Sequence, residues 1–566
     1  MGRDRYRAGD LTVAPAGHGL ALVYSRDTGR TRLARSDVAS LLDDVTTFRT
    51  LEEHASALAD GRVGREAAMR RELERLAEDG FLVTPPVAED RTPDASARIT
   101  TLAVPTCGRV PTLERTLRGY LDNVAGEGRT VDVVIADDSR SNASQGACET
   151  MLRGLRRAYG VEVACAAPKD KQAYATELAA AAGVAPSIAS FACLGDCASG
   201  LITAGANRNV LLLHAAGEQL LSVDDDIACR LAPARGAAGA LAVTSAGGPL
   251  HVEAHADRQS ALAALPERDT SILTLHERWL GRPPLAWVDA NTDYDGATPE
   301  MLRRLRTRPG RIAMTLNGIV GDCGWDSPDF LLFLDSSAGR ARSREMVQVA
   351  PVATLTERAD PMFGWCHGLD ARHMLPPFTP IGRAEDVGFG VLLSTCFPDH
   401  YALHLPWALL HAPPEPKSFS AEPAFAVGFN GWLPSVLSEL APGAGSPDDR
   451  LADLGGQVQQ LGHLPADAFD DFARLHLLRS LTARTEALEA GMATAPSSWR
   501  KDATTEIARM RESALAPMQR LYCLPGGRTA VQRQLVAHGA LLAAWPALWA
   551  AARTLRDRGR RPARSL

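Results

Sequence analysis

The sequence predicts an α/β protein with an open, mostly parallel sheet, preceded by a small winged-helix-like unit and followed by an all-helical region. Three observations lead there. From Arg98 onward, buried-type apolar runs alternate with amphipathic stretches, which is the pattern of strands joined by crossover helices. Before that point, a hairpin pattern gives way to helical periodicity. After about residue 416 strand signals fade and apolar residues recur at helical spacing.

Length and composition bound the rest. With 566 residues the chain exceeds one ordinary core, so several domains are expected. The division expected is 1–85 for the winged-helix-like unit, 86–98 for a linker, 99–415 for the strand-helix domain and 416–566 for the helical domain. A formal net charge of -6 removes any global basic field, which excludes a general nucleic-acid or anionic-lipid binder. Ten scattered cysteines form no regular framework, as in a reduced cytosolic chain. Cys193 and Cys197 come nearest to a pair, but no second pair completes a zinc site. The start carries no apolar signal core, and the apolar stretch 540–552 is short and interrupted by Pro546, so no transmembrane segment is expected and a buried helix pair is. These features together predict a cytoplasmic protein.

In the first unit, LALVYSRDTGRTRLA reads as two strands around a turn at Asp27-Thr28-Gly29, and Ser36 is placed to cap the helix that follows. Thr50 and Glu53 have capping-box spacing, and the helix REAAMRRELERLAEDG ends at Gly80. TPPVAEDRTPDASAR is then a linker by composition. In the strand-helix region, 99–104 is a strand, 111–124 is a helix with Leu113, Leu117 and Leu121 on one stripe, and VDVVIADDS is a second strand. Asp137 and Asp138 end that strand, where open α/β sheets place ligands. A helix follows near 207–217, and LLSVDDDIAC is a third strand running into Asp224, Asp225 and Asp226. In the tail, Phe469, Phe472, Leu475, Leu478 and Leu481 suggest one helical stripe, and RDRGRRPARSL reads as a solvated, frayed basic end.

Three acids behind an apolar strand repel one another unless something positive sits beside them, which favours a ligand site over a surface turn. A divalent cation suits such a place because hard cations take carboxylate oxygens. The run LAVPTCGRVPTLERTLRGYL, then DVVIADDS, then GANRNVLLLHAAGEQLLSVDDDI, resembles the family-2-type glycosyltransferases of the GT-A (nucleotide-diphosphosugar transferase) fold. In that family a P-T-x-x-R-like turn, an acidic pair and a metal-binding D-x-D element close three successive strands.

The resemblance implies a mixed sheet binding a UDP- or GDP-sugar with Mn²⁺ or Mg²⁺. It places Pro105, Thr106 and Arg109 in the nucleotide-facing loop and Asp137 or Asp138, preferentially Asp138, at the edge of the base. Asp138 closing a local turn is the alternative. Arg208 then faces the donor diphosphate. Asp226 is the expected direct metal ligand, with Asp224 a further ligand lying nearer the ribose or sugar, Asp225 least sensitive to change and His411 a third ligand or else a structural histidine. In GRAEDVGFG, the pair Glu385-Asp386 is placed against the acceptor, with Asp386 as general base of an inverting single displacement; the bland alternative is an acidic helix start. Asp322 and Trp325, in the glycine-rich GIVGDCGWDSPDF, are assigned to a sugar or acceptor pocket.

The front unit resembles the PqqD-like peptide-recognition domains, which implies a peptide acceptor. Polysaccharide, lipid-linked glycan and small-molecule acceptors stay open, as does a non-catalytic nucleotide-sugar or peptide-binding scaffold.

Overall fold

The structure is a computed structural model that describes residues 4–566 apart from 60–62, 89–97, 197–200, 237–238, 248–249, 309, 326–331, 333–342, 360–363, 416–417, 420–428, 514–520, 523 and 525. Most of the linker expected at 86–98, and Cys197 of the cysteine pair, therefore lie outside the described residues. Cys193 is buried in the core.

The first unit is an antiparallel three-stranded sheet, Leu11–Gly17, Leu20–Ser25 and Thr31–Arg35, so a strand precedes the expected hairpin. Alternation decides its two faces. Ala21, Val23 and Ala34 turn inward onto Leu42, Ala55, Leu73, Leu76 and Phe81 of the helices and their flank. Leu22 and Leu33, paired across the strands, stay exposed. Thr50 and Glu53 make the reciprocal capping box, with Thr50 N donating to Glu53 Oε2 at 2.8 Å and Glu53 N to Thr50 Oγ1 at 3.2 Å. The helix Val63–Glu78 gives way at Gly80, whose φ of 78° suits a residue without a Cβ. Ser36 does not cap; it is the first helical residue, and Arg35 before it offers no side-chain cap.

The remainder is built on one mixed sheet. Four strands lie parallel side by side in the order Val163–Ala166, Asp132–Asp137, Ile99–Thr106 and Gln219–Val223. Cys366–Asp370 then pairs antiparallel with Gln219–Val223 and leads into the long strands Arg311–Asp322 and His400–His411. Leu113, Leu117, Tyr120 and Leu121 of helix Val110–Gly126 cover one face. The other face meets helices Pro168–Ala182, Ala204–His214 and Gly527–Asp557 in the largest core.

Three expectations for the tail are corrected. Helix Gly527–Asp557 passes unbroken through Pro546, where a helix pair was expected. It is the one helix among the described residues long and apolar enough to cross a membrane, and 56% of its most apolar window is buried; Trp545, Leu548 and Trp549 pack in the main core. In helix Ala466–Gly491, Phe469 is buried but Leu475 and Leu478 are 59% and 39% exposed, so they do not share its stripe. Finally, the basic end is neither frayed nor purely helical: Arg564–Ser565 pairs antiparallel with Val163–Ala166, and Arg561 and Arg556 contact Glu218 at 3.0 and 2.9 Å. With Arg560 on Glu177 and Arg564 on Glu149, four of its five arginines find a carboxylate partner, and Leu566 and Ala563 are buried.

Candidate active site

The acidic triplet turns the chain from strand Gln219–Val223 into Ile227–Pro233, with Ile227 N bonded to Asp224 O at 3.1 Å. The positive charge that three adjacent carboxylates require is arginine. Asp224 accepts from Arg208 at 2.6 Å, Asp225 meets Arg109 at 2.7 Å, and Asp226 meets the same guanidinium at 2.9 Å. Burial pushes Asp224 up to about 6 and Asp225 up to about 7, against the pull of Arg208 and Arg109 respectively. The three members are not alike. Asp225 is fully buried, takes the Thr106 hydroxyl at 2.6 Å, and offers its carbonyl to Thr116 at 2.8 Å. These bonds fasten the triplet to the end of strand Ile99–Thr106 and to helix Val110–Gly126.

His411 closes strand His400–His411 beside Asp226. Its Nδ1 donates to the Asp322 carbonyl at 2.7 Å, since a carbonyl can only accept, and this leaves Nε2 facing Asp226 Oδ1 at 3.6 Å. Burial lowers the imidazole pKa, but the hydrogen bond and charge of Asp226 outweigh it and raise it overall. An oriented imidazole with its second nitrogen toward a carboxylate suits a divalent cation. The protein supplies two such ligands here, and no group of three His, Cys, Asp or Glu is arranged for a metal among the described residues. The two groups would fit a hard cation that takes its other ligands from outside the protein, and Asp226 also pairs with Arg109. Asp224 stands apart from this pair, on Arg208.

A cleft of about 510 Å³ opens at the carboxyl ends of the parallel strands, lined in part by Pro105, Thr106, Arg109, Asp138, Arg208, Asp224 and Glu385. Two adjacent acids divide the work at the second strand. Asp137 is buried and closes a turn by accepting from Ser139 N and Oγ at 2.8 and 2.6 Å. Asp138 lines the cleft, held by Lys171 and the Thr203 hydroxyl. The turn that the sequence offered as the alternative role of Asp138 is made by Asp137.

The helix Glu385–Cys396 begins after Ala384, a non-glycine residue at φ 62°, a strained conformation of the kind that functional sites retain. Glu385 reaches Arg208 Nε at 3.3 Å, so Glu385, Arg208 and Asp224 form one chain along the cleft. Asp386 accepts from Gly364 N at 2.7 Å and from Val387 N at 2.8 Å. Burial, then the neighbouring Glu385, push it up to about 7.

Asp322 and Trp325 are placed differently. Asp322 is gripped by Arg344 through two bonds of 2.8 Å, and Trp325 is 7% exposed in a small core with Val252, Cys323 and Met346. Neither lines the cleft.

Lys171, Arg140 and Arg383 were missed from sequence. Lys171 is completely buried and binds Asn207 Oδ1 at 2.6 Å as well as Asp138. Its signal was present: with Tyr174, Ala175 and Leu178 it occupies the buried stripe of helix Pro168–Ala182, where a lysine needs a partner. Arg140 and Arg383 line the cleft from two loops without motif or periodicity to mark them.

No protein-family model matches the chain, and no curated protein matches it. Among solved structures it is similar to the mannosyltransferase PcManGT from Pyrobaculum calidifontis in complex with GDP-Man and Mn²⁺, at 15% sequence identity over 88% of this chain and 99% of that one, with a TM-score of 0.21.

Proposed function

We propose that this chain is an inverting, metal-dependent GT-A-type glycosyltransferase that moves a sugar from a nucleotide-diphosphate sugar to an acceptor. One observation carries the reading: the carboxyl ends of three parallel strands, at Thr106 and just before Asp138 and Asp224, open on a single cleft, with the Asp226–His411 pair beside it. That is the place where an open α/β sheet binds ligands.

Each group then has a task at a stated atom. Asp138, in contact with buried Lys171, accepts from a ring N–H of the base. Asp226 and His411 would hold the cation, which when bound would supply positive charge against the diphosphate leaving group. Asp386 takes the proton from the acceptor hydroxyl or thiol as it attacks the anomeric carbon, and a single displacement inverts that centre. The Glu385–Arg208–Asp224 chain fixes the walls between donor and acceptor. A peptide acceptor is the reading that the first unit favours: Leu22, Tyr24 and Leu33 leave an apolar sheet surface 41–56% exposed, of the kind an extended peptide covers.

Slow donor hydrolysis tests the catalytic part. With Mn²⁺ and a panel of UDP- and GDP-sugars, nucleotide release is expected from the wild type and is lost on chelation and in Asp226→Ala. If no donor is bound or hydrolysed and Asp226→Ala changes nothing, a non-catalytic scaffold replaces this reading.

A further inference from the structure

We infer that Arg140 and Arg383, rather than Arg109 and Arg208, supply the cationic contacts to the donor's diphosphate, so that the cleft selects ligands carrying two phosphates. The inference rests on the nucleotide-sugar reading above and deepens it.

Four arginines line the cleft, and they fall into two kinds. Arg109 is spent on Asp225 and Asp226, and Arg208 on Asp224 and Glu385, with Arg208 only 4% exposed. A guanidinium already forked onto carboxylates has few donors left for phosphate. Arg140 and Arg383 are exposed, and neither is among the residues with a hydrogen bond or ion pair to the rest of the described chain. The cleft acids two residues from each in sequence are engaged elsewhere: Asp138 with Lys171 and Thr203, Glu385 with Arg208.

The two arginines are carried on separate segments. Arg140 lies just beyond the Asp137–Ser139 turn, and Arg383 follows Gly382, whose N–H donates to the Ile202 carbonyl at 2.7 Å. Two unpaired guanidinium groups in one cleft of this size match two phosphate groups, each with its own charge, through planar forks. A nucleoside-monophosphate ligand can satisfy only one of them. A neutral sugar satisfies neither.

The test is calorimetric binding of UDP, GDP, UMP, GMP and inorganic pyrophosphate to the full chain, wild type and as Arg140→Gln, Arg383→Gln and the double variant. Because both side chains are exposed, the variants are expected to melt as the wild type does. Each single change is expected to weaken the preferred nucleoside diphosphate about tenfold or more. The double change is expected to remove most of the preference for diphosphate over monophosphate. Undiminished diphosphate binding in folded variants overturns the inference and leaves the donor reading standing. Arginine-dependent pyrophosphate binding without any nucleoside diphosphate binding supports the two-phosphate contacts and sinks the donor reading. If the wild type binds neither a nucleoside diphosphate nor pyrophosphate, both fall.

Discussion

Asp386 combines two properties that a proton acceptor at neutral pH needs: a carboxylate fixed by two backbone N–H groups, and a pKa lifted by burial and by Glu385 to about 7. The lift means that the folded protein holds this proton to higher pH than an exposed aspartate does. Below the lifted pKa the carboxyl is protonated and cannot accept, so kcat/KM is expected to climb with pH toward neutrality and to level above it. Asp386→Asn should lose that limb together with about two to four orders of magnitude in rate, while Glu385→Gln keeps the limb; a pH–rate profile on all three proteins decides it. The triplet and Asp386 were legible because acids after an apolar strand or at a helix start are conspicuous. The partners were not. Nothing local announces that Arg109 joins Asp225 and Asp226 across 117 residues, or that Asp322 belongs to Arg344. The hydrogen bonds of Asp225 to Thr106 and Thr116 were hidden for the same reason, being tertiary.

At the scale of elements, helix Ala466–Gly491 shows how a stripe can be misread. Residues three apart fall about 60° short of a full turn at about 100° per residue, so a run of such steps walks around the helix. By Leu478 the walk from Phe469 reaches the opposite side, and the buried set is Phe469, Ala473, His476, Leu477 and, further on, Leu488. Phe469→Ala is therefore expected to cost about 3 to 5 kcal/mol, while Leu475→Lys and Leu478→Lys stay within about 0.5 kcal/mol of wild type; urea unfolding of the three variants reads the difference. Strands and caps were more legible than helix faces. The apolar run 133–136, short, β-branched and bounded by polar residues, reads as a strand buried on both sides, and the Thr50–Glu53 box is local chemistry. The helix through Pro546 was read as broken because the sequence shows the missing N–H but not the packing of Trp545 and Trp549 that holds the turn together.

For the whole molecule, the first unit is seated on the second half of the large sheet's domain. Arg7, 4% exposed, donates to the Ala297 carbonyl at 3.0 Å, Asp10 meets Arg303 and Asp27 meets Arg306 at 2.8 Å each, and Phe48 packs edge-on to Tyr294. Its apolar outer face lies outside these contacts. If that face takes the acceptor, Leu22→Glu with Leu33→Glu should raise KM for a peptide acceptor about tenfold and leave donor hydrolysis unchanged. An unaltered KM in steady-state assays removes the peptide reading. One feature reaches beyond equilibrium. The strand that closes the sheet edge at Val163–Ala166 arrives with Arg564–Ser565, and Arg156 meets the Leu566 carbonyl 410 residues away. On the ribosome that edge stays open for some tens of seconds at ordinary elongation rates. A nascent chain with its central strands made and one side unpaired is a template for misassociation. Yield in the cell should then depend on how well that interval is chaperoned, even where the finished protein is stable.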